Sequence, residues 1–148
     1  MEDKVLHLIN CSSRKREERC EARLLYDKST LFRYSRDFLE KYNHTPYCIL
    51  SAKYGLVKPT DVIDPYNVTL KGQSKDALKM WTDTVMHSIR TQYPNVQLVH
   101  MWTSNDYDNC LIPELEKVGI TVQTHLKGMG IGRKVKWLKD RISGIPEE

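Results

Sequence analysis

Val5-Leu6-His7-Leu8-Ile9 followed by Asn10-Cys11-Ser12-Ser13-Arg14-Lys15 decides how the chain is read. A short β-prone, mostly apolar run passes directly into a polar, cationic segment, which is the pattern of a buried strand that delivers a loop. Downstream, Leu31, Tyr34, Phe38 and Tyr42, supported by Phe32 and Leu39, form a helical stripe behind a cap at Ser29 or Thr30. Residues 47–50 are a second apolar run. Leu78, Trp81, Val85 and Ile89 mark a helix over about 75–92, and Pro94 separates it from a third strand at 96–101.

A helix opening near Asp106 is expected to break or restart at Pro113 and to end at Gly119, ahead of a fourth strand at 120–124. Gly128, Gly130 and Gly132 then lead into a last helix with Ile131, Val135, Leu138 and Ile142 on one face. This alternation predicts a three-layer α/β/α fold with a four-stranded, mainly parallel sheet of order 2-1-3-4, in one domain spanning 1–148. Between the second strand and its helix, residues 51–67 are Pro- and Gly-marked, and no regular structure is expected there. A loop of that length usually has a task.

In 148 residues, 23 basic against 19 acidic side chains leave a net charge of +4, too balanced for charge alone to define a nucleic-acid binder. The distribution is more informative. Arg14, Lys15, Arg16 and Arg19 form one basic zone, and Lys127, Arg133, Lys134, Lys136, Lys139 and Arg141 form another. If folding joins them they can hold phosphate; otherwise they are solvated faces. No stretch approaches the roughly 20 apolar residues of a membrane span, and acids at positions 2 and 3 are unlike a signal peptide, so a cytosolic protein with no membrane partner is expected. Cys11, Cys20, Cys48 and Cys110 lack CxxC spacing and are expected as thiols. His7, His44, His87, His100 and His125 show no zinc-binding pattern, so neither a metal nor another cofactor is expected.

Ligands of an open parallel sheet gather beyond the carboxyl ends of its strands. Three loops are expected to converge there. The first offers Cys11, Ser12, Ser13 and Lys15 for substrate, with Arg14 for phosphate, although the spacing is not that of a P-loop. The second offers Asp61, Asp64 and Lys53 as catalytic candidates, with Tyr54, Tyr66 and Asn67 as binding candidates. The third offers His125 and a glycine-rich turn with Lys127, Arg133 and Lys134, which suits an anion but is not a dinucleotide fingerprint. Either aspartate reads equally as a turn former, and Cys11 as a small buried residue. Trp81 and Trp137 read as core, whereas Trp102, at the end of the third strand, is a candidate stacking residue.

The segments NCSSRK (10–15), LLYDKSTLFRYSRDFLEKY (24–42), ILSAKYGLVKPTDVIDPYNVTL (49–70) and GMGIGRKVKWLK (128–139) together resemble a family of small, largely uncharacterised bacterial and phage domains. The stretch 50–70 is also similar to the YaaA peroxide-stress family, a group associated with DNA binding and protection from oxidative DNA damage. Cys11, Lys15, Lys53, Gly55, Asp61, Pro65 and Tyr66 match these patterns. Ser12, Ser13 and Arg14 stand where relatives carry glycine and lysines, and Tyr54 stands where many carry histidine. In outline the layout is also similar to uracil-DNA glycosylases, an analogy of fold alone. The resemblance implies a DNA-directed protein; although no glycosylase motif is intact, the favoured reading is a hydrolase of the N-glycosidic bond of a damaged or modified base. The alternatives are a non-catalytic DNA-binding protein of stress or phage conflict and a free nucleotide or nucleoside hydrolase.

Overall fold

The computed structural model describes residues 4–42 and 45–143; the side chain of Tyr42 and all of His44 lie outside the described residues. The chain runs through β1 (Val5–Asn10), β2 (Cys20–Glu21), α1 (Ala22–Leu25), α2 (Thr30–Tyr42), β3 (Tyr47–Ser51), β4 (Gly55–Val57) and β5 (Val62–Ile63). It continues through α3 (Lys75–Gln92), β6 (Leu98–Trp102), α4 (Asn105–Lys117), β7 (Thr121–Thr124) and α5 (Ile131–Ile142).

The fold is mixed α/β, with a five-stranded, mainly parallel sheet of order β4-β3-β1-β6-β7. The four expected strands are neighbours in the expected sequence, but the sheet does not stop there. Gly55 has a positive φ of 78° and lets the chain turn straight back, so β4 pairs antiparallel with β3, with Leu56 opposite Leu50. A second departure lies further along the same segment, where β5 pairs with β2 in a small antiparallel sheet. The segment read as irregular is therefore pinned at two places.

Alternation along β1 divides the core. Leu6 and Leu8 face one side with Leu50, Val99 and Met101, under Trp81, Val85 and Ile89 of α3 and Leu111 and Leu115 of α4. Ile9 and Ile49 face the other side, under Ala22 and Leu25 of α1 and Phe32 and Leu39 of α2. Each such fully buried aliphatic side chain contributes about 1.5–3 kcal/mol relative to exposure. Trp81 is core as expected, and its indole N–H donates to the Ser51 carbonyl at 2.8 Å.

Two helix readings need correction. Pro113 lies inside a continuous α4, because it and Asn109 are both exposed, so the carbonyl it leaves unbonded can meet water. Ile131 opens α5 but does not share its buried stripe: it is 71% exposed, while Leu138 is fully buried. α5 packs on α2, and Trp137 meets Phe38 edge-on at 5.6 Å. Among the described residues, no helix is long and apolar enough to cross a membrane.

Candidate functional site

A cavity of about 520 Å³ opens beyond the carboxyl ends of β1, β6 and β7. Its apolar wall is made by Leu31, Phe32, Trp102, Leu126 and Ile131, and its polar lining includes Asn10, Cys11, Ser12, Thr103, Ser104 and His125. Arg14 and Lys134 also line it, so the two basic zones, over a hundred positions apart in sequence, meet there. Other members of those zones are engaged elsewhere: Arg16 with Asp27, Arg19 with Asp64 and Lys136 with Asp140.

Three helices begin at this cavity. Ser29 caps α2, its hydroxyl accepting from the Phe32 N–H at 3.3 Å. α4 and α5 lack such a cap. Ser104 precedes α4, but its hydroxyl accepts from Asn10 Nδ2 at 2.9 Å, and Gly130 has no side chain to offer α5. Uncapped first-turn N–H groups, the positive ends of two helix dipoles and two cations suit an anion.

The cavity floor carries an unusual acceptor. Asn10 Oδ1 is buried and, among the described residues, has no hydrogen-bond partner, although Nδ2 of the same amide donates to Ser104. A buried acceptor of this kind costs about 1–3 kcal/mol unless something donates to it. Behind the floor, Thr103 donates to the buried carboxylate of Asp108. Burial raises the Asp108 pKa, against the Thr103 hydrogen bond and the charges of Lys127 and Lys134.

One wall is backed by a column of rings. His7 and His100 are direct partners across β1 and β6 and stack at 4.3 Å, with 12° between their planes. His100 Nδ1 lies 2.8 Å from Nε2 of His125, whose ring lies against the Trp102 indole. Desolvation by burial lowers all three imidazole pKa values, and for His7, where His100 and His125 add to the effect, the value falls to about 4. Neither His7 nor His100 stands out as a site residue in the sequence, because each is one polar residue inside an apolar strand. The sequence signal was that VLHLI and LVHMW place histidine at matching positions.

The expected loops converge only in part. The first supplies Cys11, Ser12 and Arg14 to the cavity, whereas Ser13 is exposed and outside its lining. Lys15 turns aside, its amine 4.4 Å from the Tyr66 ring centroid. From the third, His125 and Lys134 reach the cavity; Lys127 and Arg133 are exposed outside the lining. Leu126 lines it with a positive φ of 63°, an uncommon conformation for a branched side chain.

The second loop lies beside the cavity and does not line it. Asp61 accepts from the Lys58 N–H at 2.9 Å, closing a turn, and Asp64 pairs with Arg19 at 3.6 Å. Lys53 is exposed with its amine 5.2 Å from the Tyr54 ring, and Asn67 is exposed. Tyr66, also outside the lining, is half-buried: its hydroxyl accepts from Ser51 at 2.7 Å and bonds the Tyr26 hydroxyl at 2.7 Å. Cys11, which lines the cavity, bonds the Tyr107 hydroxyl of α4 at 3.0 Å.

A solved structure, described as the crystal structure of AF0587, a protein of unknown function, aligns with a TM-score of 0.58 over 99% of this chain. The identity is 14%, so the likeness is one of fold; this chain spans 46% of that protein. No curated protein matches the chain. Neither comparison connects it to the peroxide-stress group. A family model described as a family of unknown function, DUF6884, matches residues 6–140, and the chain belongs to that family.

Proposed function

We propose that this protein acts on nucleic acid, takes one nucleotide unit of a DNA strand into the strand-end cavity, and hydrolyses its N-glycosidic bond. The observation that carries the proposal is the meeting of Arg14, Lys134 and the uncapped starts of α4 and α5 around a cavity with an apolar wall. Phosphate lies against the cations and N–H groups, and the base lies against Leu31, Phe32 and Ile131. The cavity volume of about 520 Å³ falls in the range of roughly 300–1,000 Å³ typical of small-ligand sites.

Within this proposal the Asn10 side chain turns so that its Oδ1, closed to solvent in the structure, accepts a hydrogen bond from the attacking water, and the neutral His125 imidazole donates one to the departing base. Asp61 and Asp64 shape the neighbouring loop, and Lys53 contributes charge beside it. The likeness of residues 50–70 to a DNA-associated stress family supports the choice of DNA.

The test incubates purified protein with unmodified, uracil-containing, oxidised and phage-modified duplexes. Base release is followed by alkali cleavage, and binding is measured across salt in parallel. Release that is lost in Asn10→Ala supports the reading. Salt-sensitive binding without release leaves a binding module, and binding of free nucleotide with little salt dependence moves the substrate off the polymer. No binding to any strand at low salt overturns the proposal.

A further inference from the structure

Beside the cavity, the Lys15 amine lies 4.4 Å from the Tyr66 ring centroid and 5.8 Å from that of Tyr26. Most lysines of this chain are exposed, but Lys15 is half-buried. Among the described residues no carboxylate lies within ion-pair distance of it, whereas Arg16 and Arg19 of the same loop both have acidic partners. The rings under the amine are themselves fixed, through the Ser51–Tyr66–Tyr26 hydroxyl chain. Lys15 is outside the lining, but its chain neighbour Arg14 and nearby Cys11 both line the cavity, so Lys15 stands at its flank. Its pKa is lowered by burial, with Cys11 acting in the opposite direction.

The geometry points to Lys15 as an amine nucleophile toward a sugar aldehyde, giving the protein a strand-cleaving activity at abasic nucleotides in addition to base removal. This rests on the proposed nucleic-acid reading for its polymer substrate. An unpaired, partly desolvated amine has a larger neutral fraction than an exposed one, and the neutral form is the nucleophile. The faces of Tyr66 and Tyr26 then favour the cation that forms.

The Lys15 nitrogen adds through its lone pair to the C1′ carbonyl of the ring-opened sugar. The resulting carbinolamine takes a proton from solvent and loses its oxygen as water, leaving a C1′=N iminium. Transfer of the C2′ proton to water allows the C3′–O bond to break, with its electron pair leaving on the 3′-phosphate. Hydrolysis of the iminium restores the amine and releases an unsaturated aldehyde. No oxidant or reductant is needed.

The experiment uses the full chain, a duplex bearing a preformed abasic site, and 2-deoxyribose 5-phosphate as a small aldehyde probe. Each is trapped with borohydride, which converts the iminium to a stable secondary amine. A one-to-one adduct that peptide mapping places on Lys15 is expected with both probes. Lys15→Arg keeps the positive charge over the rings and should reduce the adduct to background, whereas Lys4→Arg, at the opposite end of β1, should not change it. An adduct on another lysine, an unchanged adduct in Lys15→Arg, or none with either probe overturns the inference. Base release is scored separately on intact duplexes: release without a Lys15 adduct leaves the proposed function standing alone, and an adduct without release leaves the amine chemistry standing alone.

Discussion

The Trp102 indole lies flat on the His125 imidazole, with centroids 3.9 Å apart and planes within 8°, while its N–H donates to His7 Nδ1 at 2.9 Å. One side chain therefore couples the cavity wall to the buried centre of the sheet. His7 must keep Nδ1 unprotonated to accept this bond.

The histidine column makes the fold sensitive to acid. A folded-state His7 pKa of about 4, below its ordinary 6.5, means that the unfolded chain binds the extra proton first. The stabilising contribution is complete above about pH 6.5 and is lost as pH falls toward 4, reaching on the order of 3 kcal/mol for His7. His100 and His125 shift in the same direction. Urea unfolding from pH 7 to 4 should show wild-type stability falling, with a slope shallower by about one proton in His7→Asn. Parallel curves would remove His7 from the account.

Trp102→Phe keeps a ring against His125 but removes the donor to buried His7. Leaving that acceptor unsatisfied should cost about 1–3 kcal/mol in urea unfolding at pH 7. Loss of stability beyond that range would indicate that packing against Phe38 and Trp137, 5.4 and 6.0 Å away between centroids, dominates.

Pro113→Ala should stabilise the protein. An alanine N–H can bond the Asn109 carbonyl, recovering most of the ~3 kcal/mol helix-interior penalty of proline, less ~1 kcal/mol from a freer unfolded chain. A rise of about 1–2 kcal/mol in unfolding free energy is expected, and a fall would mean that the ring packs against something that alanine cannot replace.

The cavity and the neighbouring loop separate by substitution. Arg14→Gln and Lys134→Gln should each flatten the dependence of log K on log salt for duplex DNA by about 0.9. Asp61→Ala removes the turn bond to Lys58 and should cost about 1 kcal/mol of stability, with base release per folded molecule unchanged. A loss of release in Asp61→Asn, which preserves an acceptor, would place the chemistry in the second loop instead.

The parallel strands were legible because buried strands appear as short apolar runs, and Val5–Asn10 and Leu98–Trp102 are such runs. β4 was hidden by its brevity and by Gly55, whose turning role depends on a backbone angle that composition does not display. Pro113 misled because its cost depends on exposure, a tertiary property. At the site, Cys11, Ser12, Arg14 and Lys134 could be found, since strand-end loops and helix starts have local signatures. The histidine column could not be assembled locally: His7 and His100 become neighbours only through the register of β1 against β6.

The Asn10–Ser104 bond also gives the cavity a polarity. With one amide N–H committed to Ser104 and its oxygen unpartnered among the described residues, Asn10 brings an open acceptor to the floor, while the rim presents N–H groups and cations. An inorganic anion satisfies the rim and leaves the floor bare. A molecule that is anionic at one end and carries an N–H or O–H at the other satisfies both, so the cavity sorts its visitors by the direction in which they are polar as much as by their charge.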